Sequence, residues 1–378
     1  MSSRERLGWT PFFDALAAAL DRRDLQFARV VEEQRGLYRI DGDAEGWAEV
    51  GGRFRREATA GGVFPAVGDW VGVRGNGVQG SGFRVQGSGS GSGSGSSGSG
   101  SRCIIEHVLE RRTVVSRAAA GRVTAEQVVA ANVDTIFVVT ALPHDLNARR
   151  LERYLAMVWD GGAMPVVVIN KSDLSDDPDA VSRAIAARLP LVDIVVVSAV
   201  HERGLGALEP YLTREKTVAL VGSSGVGKST LVNRLIGREV TRVAAISDAD
   251  GKGRHTTTAR QLLELPGQAL LIDTPGMREL QPWLDGDGLD VAFDDVSGLA
   301  GLCRFADCAH DGEPGCAVAA AVAEGRLDAD RLENYRRLVR EAAYEDRKRD
   351  KAAAAEHKRK WKAAHQAAKA LYRDRDRR

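Results

Sequence analysis

Three short stretches carry residue types and spacings that could hold a nucleotide. Gly222-Ser223-Ser224-Gly225-Val226-Gly227-Lys228-Ser229 has the spacing G-x-x-x-x-G-K-S. Glycines placed this way let successive backbone N–H groups turn inward around phosphate oxygens, Lys228 can reach the terminal phosphates, and the Ser229 hydroxyl can hold Mg²⁺. The apolar run 218–221 before the motif predicts a strand. The stretch from Thr230 to residue 235 predicts a helix whose N-terminus adds partial positive charge. A second stretch, Asn170-Lys171-Ser172-Asp173, ends the apolar run 165–169. A carboxylate at Asp173 can accept from both N1–H and the exocyclic amine of guanine, a donor pair adenine lacks. Asn170 can support the purine and a neighbouring loop, and the Lys171 stem can cover the base. Taken alone, N-K-x-D is also an ordinary solvated turn. The run 194–197 ends in Ser198-Ala199, where a backbone N–H could donate to guanine O6. The third stretch, Asp273-Thr274-Pro275-Gly276, follows the run 270–272; Asp273 would meet Mg²⁺ through water and the Gly276 amide would sense a γ-phosphate.

Between the phosphate loop and Asp273 lies the polar stretch Gly251-Lys252-Gly253-Arg254-His255-Thr256-Thr257-Thr258. It could supply a threonine to Mg²⁺, taken here as Thr257. Small GTPases carry a water-orienting Gln after D-x-x-G, but this chain has Met277, so intrinsic turnover is expected to be slow. His255 is the candidate group to orient water, because imidazole can accept or pass a proton near pH 7. A separate cluster, Cys303-x4-Cys308-x-His310-x5-Cys316, offers three thiolates and one imidazole within fourteen residues. That set suits tetrahedral Zn²⁺ with no open position, hence a structural ion, one per chain. Cys103 stands apart on an apolar run and reads as packing.

The elements needed to position these groups are legible in the periodicity. Residues 25–31, 37–40, 47–50, 69–73 and 103–109 are β-rich and broken by Gly, Asp and Pro, which fits a five-stranded OB-type β-barrel over 25–116. Residues 87–101 are all Gly or Ser; such a tract cannot bury enough apolar surface to order itself and reads as an insertion between two strands. From about residue 124 strands and helices alternate, including helices over 149–159 and 178–189, as in a parallel sheet covered on both faces. The ordinary order of the three nucleotide motifs is rotated, with N-K-S-D and S-A coming first. All still end strands at one sheet edge, so a circular permutation preserves the site. The expected architecture is therefore multidomain α/β: a segment 1–24, the barrel, a circularly permuted P-loop GTPase domain over 117–285, a C-terminal helical zinc-binding domain over 286–340 and a basic helical tail over 341–378.

Composition limits the partners. Lys+Arg is 53 against Asp+Glu 52, but residues 331–378 hold 17 basic against 8 acidic residues, leaving 36 against 44 upstream. A near-neutral body thus ends in a basic arm that could meet a polyanion, with Trp361 available to stack on a base. The longest aliphatic run, 166–169, falls far short of the roughly 20 apolar residues a membrane span needs. The stretch 12–16 is interrupted by acidic residues and reads as an amphipathic helix rather than an export signal. Four cysteines make no disulfide framework, so a reducing cytoplasm is expected.

The rotated motif order, GSSGVGKS, GRHTTT, DTPGMRE and the cysteine cluster together resemble the ribosome small-subunit-dependent GTPase A family, over roughly residues 30–340. The resemblance implies a cytoplasmic GTPase, converting GTP to GDP and phosphate, that binds the small (30S) ribosomal subunit and its rRNA late in maturation. Hydrolysis would be stimulated by the subunit and drive release, and the resemblance also points to His255. The chain is expected to act as a monomer and without a membrane. The alternative is a GTP-gated RNA-binding switch whose turnover only resets binding. The Gly/Ser insertion departs from the family pattern. Gly225 stands where potassium-stimulated loops carry Asn, so potassium dependence is not expected.

Overall fold

Short β-branched runs between glycines build the first half of the chain. In the computed structural model, which describes residues 2–34, 36–59, 64–75, 103–118, 126–189, 191–238, 260–273 and 287–347, two short helices come first, α1 (Ser3–Arg6) and α2 (Pro11–Ala19). Strands β1 (Gln26–Gln34), β2 (Leu37–Gly42) and β3 (Gly46–Val50) follow, then helix α3 (Gly52–Thr59), and then β4 (Trp70–Arg74) and β5 (Cys103–Val108). Pairing runs β1-β2-β3-β5-β4 and closes β4 back on β1. All of these contacts are antiparallel except β3–β5, which is parallel with Ala48 opposite Cys103. A closed five-stranded barrel of this order, with a helix between its third and fourth strands, is the OB-type barrel the sequence predicts. Closure leaves no edge strand exposed within the barrel. The Gly/Ser tract lies outside the described residues; β4 and β5 on either side of it pair antiparallel, with Arg74 opposite Ile104.

Two further strands, β6 (Val114–Ala118) and β7 (Glu126–Ala131), form a separate two-stranded sheet. The GTPase half then alternates as expected: β8 (Thr135–Ala141), α4 (Ala148–Asp160), β9 (Met164–Asn170), α5 (Pro178–Arg188), β10 (Asp193–Val196), β11 (Thr217–Val221) and α6 (Lys228–Ile236), followed by β12 (Arg260–Glu264) and β13 (Leu270–Asp273). Every residue of β8 and β11 is buried, which is what strands covered on both faces require. Their side chains join one core with Phe137, Val168, Leu220 and Leu231. The order is β10-β9-β8-β11-β13-β12, parallel throughout except for β12, which runs antiparallel to β13. Sequence reading missed β12 because Arg260, Gln261 and Glu264 break its apolar run. The tight connection, with Leu265 N–H on the Ala269 carbonyl at 2.8 Å, makes β12 and β13 a hairpin.

One strand belongs to both halves. A register shift between Val30 and Glu32 lets the first half of β1 pair with β4 while its end pairs with β12, Glu33 opposite Arg260. The barrel and the GTPase sheet are therefore one continuous eleven-stranded system. The N-terminal helices reinforce the joint: Arg6 bonds Asp41 of β2 at 2.7 Å and Glu264 of β12 at 2.9 Å. Trp9 packs edge-on against fully buried Trp70 at 4.7 Å, and Phe13 fills the same pocket.

The chain divides into two compact units. The first holds Met1–Val115, Val128–Tyr154 and Gly161–Glu279; the second holds Ser116–Gln127, Leu155–Asp160 and Leu280–Arg378. The second unit is helical after residue 286: α7 (Asp287–Ala292), α8 (Asp294–Ala300), α9 (Ala317–Ala323) and α10 (329–347). Its hub is Arg331, which grips Asp295 through two bonds of 2.6 and 2.8 Å, donates to the Ala292 carbonyl and lies over the Phe293 ring. Among the described residues, no helix is long and apolar enough to cross a membrane.

Candidate functional site

The glycines of the phosphate loop are required by geometry. Gly222 adopts φ +140, and a Cβ there would stand 2.1 Å from the Val139 carbonyl oxygen; at Gly227, φ +93, it would stand 2.3 Å from Asn170 Nδ2. No side chain fits either position. The loop turns directly from β11 into α6, whose first turn carries no acidic residue to offset the positive end of the helix dipole. Ser224 and Gly225 are exposed, Ser223, Ser229 and Thr230 are half-buried, and Val226 anchors the loop in the core. The half-buried Lys228 ammonium donates to the Gly222 carbonyl at 2.6 Å and to the Ser223 carbonyl, so it lies over the loop that would receive phosphate.

Asn170, at the carboxyl end of β9 and almost fully buried, ties three loops together. Its Nδ2 donates to the Val226 carbonyl at 2.8 Å, and its Oδ1 accepts from the Ala199 amide at 3.0 Å. Lys171 takes a left-handed conformation, φ +61, and opens the short 3₁₀ turn Ser172–Leu174 that presents Asp173. The Ser198 hydroxyl donates to Asp173 Oδ1 at 2.5 Å. That donor is the main cause holding the Asp173 carboxyl below the usual 3.8, with the positive charge of Arg203 adding to it. Asp173 is thus ionised and aimed, the state needed to accept two N–H donors.

The pair Ser198-Ala199 is placed beside Asp173, but both of its amides are engaged: Ser198 N–H bonds the Arg203 carbonyl at 3.0 Å, and Ala199 N–H bonds Asn170. Sequence reading also missed His201, whose Nε2 lies 3.9 Å from Asp173 Oδ2. No spacing rule could have found it, because the contact depends on the turn after β10.

Asp273 ends β13, the strand beside β11, so it leaves the sheet next to the loop that carries Ser229. A hydroxyl and a carboxylate are the hard oxygen donors that suit Mg²⁺. His255, Thr257 and Gly276 lie outside the described residues.

The four metal-type side chains converge within the second unit. Cys303 Sγ and Cys316 Sγ each lie 3.6 Å from His310 Nδ1, the two sulfurs are 3.9 Å apart, and all four ligand atoms, including Cys308 Sγ, lie within 4.8 Å of one another. Tetrahedral zinc with bonds of about 2.3 Å to sulfur and 2.0 Å to nitrogen spaces its ligands about 3.5–3.8 Å apart, so the cage fits that ion. Burial holds His310 below the ordinary imidazole value, keeping the ring neutral with a lone pair to offer. Glu313 braces the loop, accepting from the Ala309 amide at 2.9 Å and the Asp311 amide at 2.6 Å. With four protein ligands and no open position, the site is structural.

The rotated strand order, the glycine loop on β11 and the base-reading turn on β9 together define a circularly permuted P-loop GTPase carrying an OB-type barrel and a zinc-type cluster. Comparison with known proteins agrees. The sequence profile of the RsgA GTPase family matches residues 108–283. The small ribosomal subunit biogenesis GTPase RsgA of Opitutus terrae is 43% identical over 372 residues, 97% of each chain. The crystal structure of YjeQ from Thermotoga maritima superposes with a TM-score of 0.58 at 25% identity, covering 84% of this chain and 99% of that one. YloQ, a circularly permuted GTPase, shares the fold with a TM-score of 0.56 at 21% identity, covering 85% of this chain and 96% of that one. The chain belongs to the RsgA GTPase family, and it is a GTP-hydrolysing enzyme that uses Mg²⁺ with its nucleotide.

Proposed function

We propose that the chain hydrolyses GTP while bound to the small ribosomal subunit and acts late in its maturation, with subunit contact stimulating turnover and hydrolysis driving release. The observation that carries the nucleotide reading is the Asn170 side chain, which clips the base-reading turn onto the phosphate loop through Val226. The subunit reading is supported by likeness to the Opitutus terrae protein across nearly the full length of both chains.

In this reading Asp173 accepts the guanine N1–H and amine, Lys171 covers the base, and Asn170, Ser172, Ser198 and Ala199 hold that pocket in shape. Gly222, Ser223, Ser224, Gly225, Val226, Gly227, Lys228, Ser229 and Thr230 surround the phosphates. Ser229, Thr257 and Asp273 hold Mg²⁺, which neutralises phosphate charge when bound. Gly276 senses the γ-phosphate and His255 orients the attacking water. The barrel over 25–116 and the basic tail over 341–378 meet rRNA. In this division of the chain the D-x-x-G stretch of the GTPase domain over 117–285 leads directly in sequence to the zinc-binding domain over 286–340. The protein works in the cytoplasm as a monomer.

GTP turnover measured with and without purified small subunits tests the proposal. Stimulation of at least tenfold that His255→Ala abolishes, leaving GDP affinity unchanged, is the expected result. Absence of stimulation together with intact GTP-dependent RNA binding would favour a GTP-gated switch whose turnover only resets it.

A further inference from the structure

We infer that Arg234 is a positioning residue for guanine selectivity, acting through the turn that carries Ser198. This rests on the reading of Asp173 as the base-reading carboxylate. The turn after β10 is tightly built: Ser198 and Arg203 exchange backbone bonds of 3.0 and 3.1 Å. Glu202 and Gly204 take φ +55 and +74, and a Cβ on Gly204 would stand 2.2 Å from the Val196 carbonyl oxygen. Its outer arm is held from α6. Arg234 Nε donates to the Ala199 carbonyl at 3.3 Å, and its Nη1 pairs with Glu202 Oε1 at 2.8 Å.

About one and a half turns separate Arg234 from Lys228 and Ser229 on one helix, so the phosphate ligands and the base-reading turn share a frame. The chain of contacts runs from α6 through Arg234 to Ala199 and Glu202, from that turn to the Ser198 hydroxyl, and from there to Asp173 Oδ1. Arg234 touches no position a nucleotide would occupy in this reading; its effect is on where Asp173 points. Both members of the ion pair are well exposed, at 44% and 60%, so screening keeps the effect modest.

Guanine and hypoxanthine both offer N1–H, but only guanine offers the 2-amino group, so the affinity ratio of GDP to inosine diphosphate reports Asp173 alignment. The full-length chain is titrated with both nucleotides. Asp173→Ala should bring the ratio close to one. Arg234→Met should lower the ratio about threefold, with the loss falling on GDP, and Glu202→Gln should shift it the same way by less. A purely structural role would leave the ratio at the wild-type value. If Asp173→Ala collapses the ratio while Arg234→Met lowers both affinities equally, or neither, the inference fails and the base reading stands. If Asp173→Ala leaves the ratio unchanged, the base reading itself fails and takes the inference with it.

Discussion

Arg29 of β1 and Thr217 of β11 stand 188 positions apart in the chain, and Arg29 Nη1 donates to Thr217 Oγ1 at 3.0 Å. The arginine is fully buried and spends its other donors on the carbonyls of Leu7 at 2.6 Å, Gly68 at 3.0 Å and Asn132 at 3.0 Å. One side chain from the barrel therefore pins the N-terminal segment, the approach to β4, the approach to β8 and the first residue of the strand that ends in the phosphate loop. Burial pulls its pKa down to about 10, which still leaves it charged at neutral pH.

Arg29→Met should destabilise the fold by about 2–4 kcal/mol, because it leaves buried carbonyls and a hydroxyl without donors. Chemical denaturation should show a lower midpoint at unchanged slope. Arg29→Lys should not restore it, since one ammonium cannot span the fork of partners. A loss below about 0.5 kcal/mol would remove Arg29 from the joint.

Asn170→Ala deletes two bonds that hold the base-reading turn, the Ser198 turn and the phosphate loop together. Each is worth about 1 kcal/mol or somewhat more, so GDP affinity should fall about 30- to 100-fold in folded protein. Gly227→Ala should go further and abolish binding, because its methyl would occupy the space of Asn170 Nδ2. Fluorescent-nucleotide titration measures both; near-wild-type binding by either variant contradicts the loop geometry.

In the proposed reading, the Ser198 hydroxyl should make guanine binding acid-tolerant. Asp173 has a depressed value in the folded protein, so its charge is kept above that value and lost only as pH falls through it, below the usual 3.8. Removing the hydroxyl in Ser198→Ala raises the carboxyl towards its ordinary range. Loss of GDP affinity on acidification should then begin at higher pH than in the wild type. Superimposable pH profiles between about pH 2.5 and pH 5 would show that the hydroxyl does not set the charge.

Cys316→Ser should release the metal and unfold the region from residue 303 to residue 316, since the cage rather than a large apolar core organises it. Elemental analysis should find one zinc per chain in the wild type and none in the variant. Hydrogen exchange should rise around α9, which Cys316 also caps through the Ala319 amide at 3.3 Å. Full zinc content in Cys316→Ser would mean the ion sits elsewhere.

Much of this was written in the linear chain, for physical reasons. Phosphate binding by backbone amides needs glycines at set spacing, and a zinc cage needs thiolates and imidazole close together, so both announce themselves as motifs. Fully buried strands must be unbroken apolar runs, which is why β8, β9 and β11 stood out. Strands with mixed faces did not: β12 hides behind Arg260, Gln261 and Glu264, and α3 is a charged helix in which, among its described side chains, only Ala58 is buried.

By itself, the order of residues determined the chemistry available: a glycine loop, a base-reading carboxylate and a four-ligand metal set, each held within a few positions of chain. Which distant groups meet was decided only by the tertiary structure. The Asn170 clip to Val226, the approach of His201 to Asp173, the sharing of β1 between two sheets and the burial of Arg29 all depend on strand order and register. Those are set by how apolar faces pack, and a contact across 188 residues leaves no periodic trace in either segment.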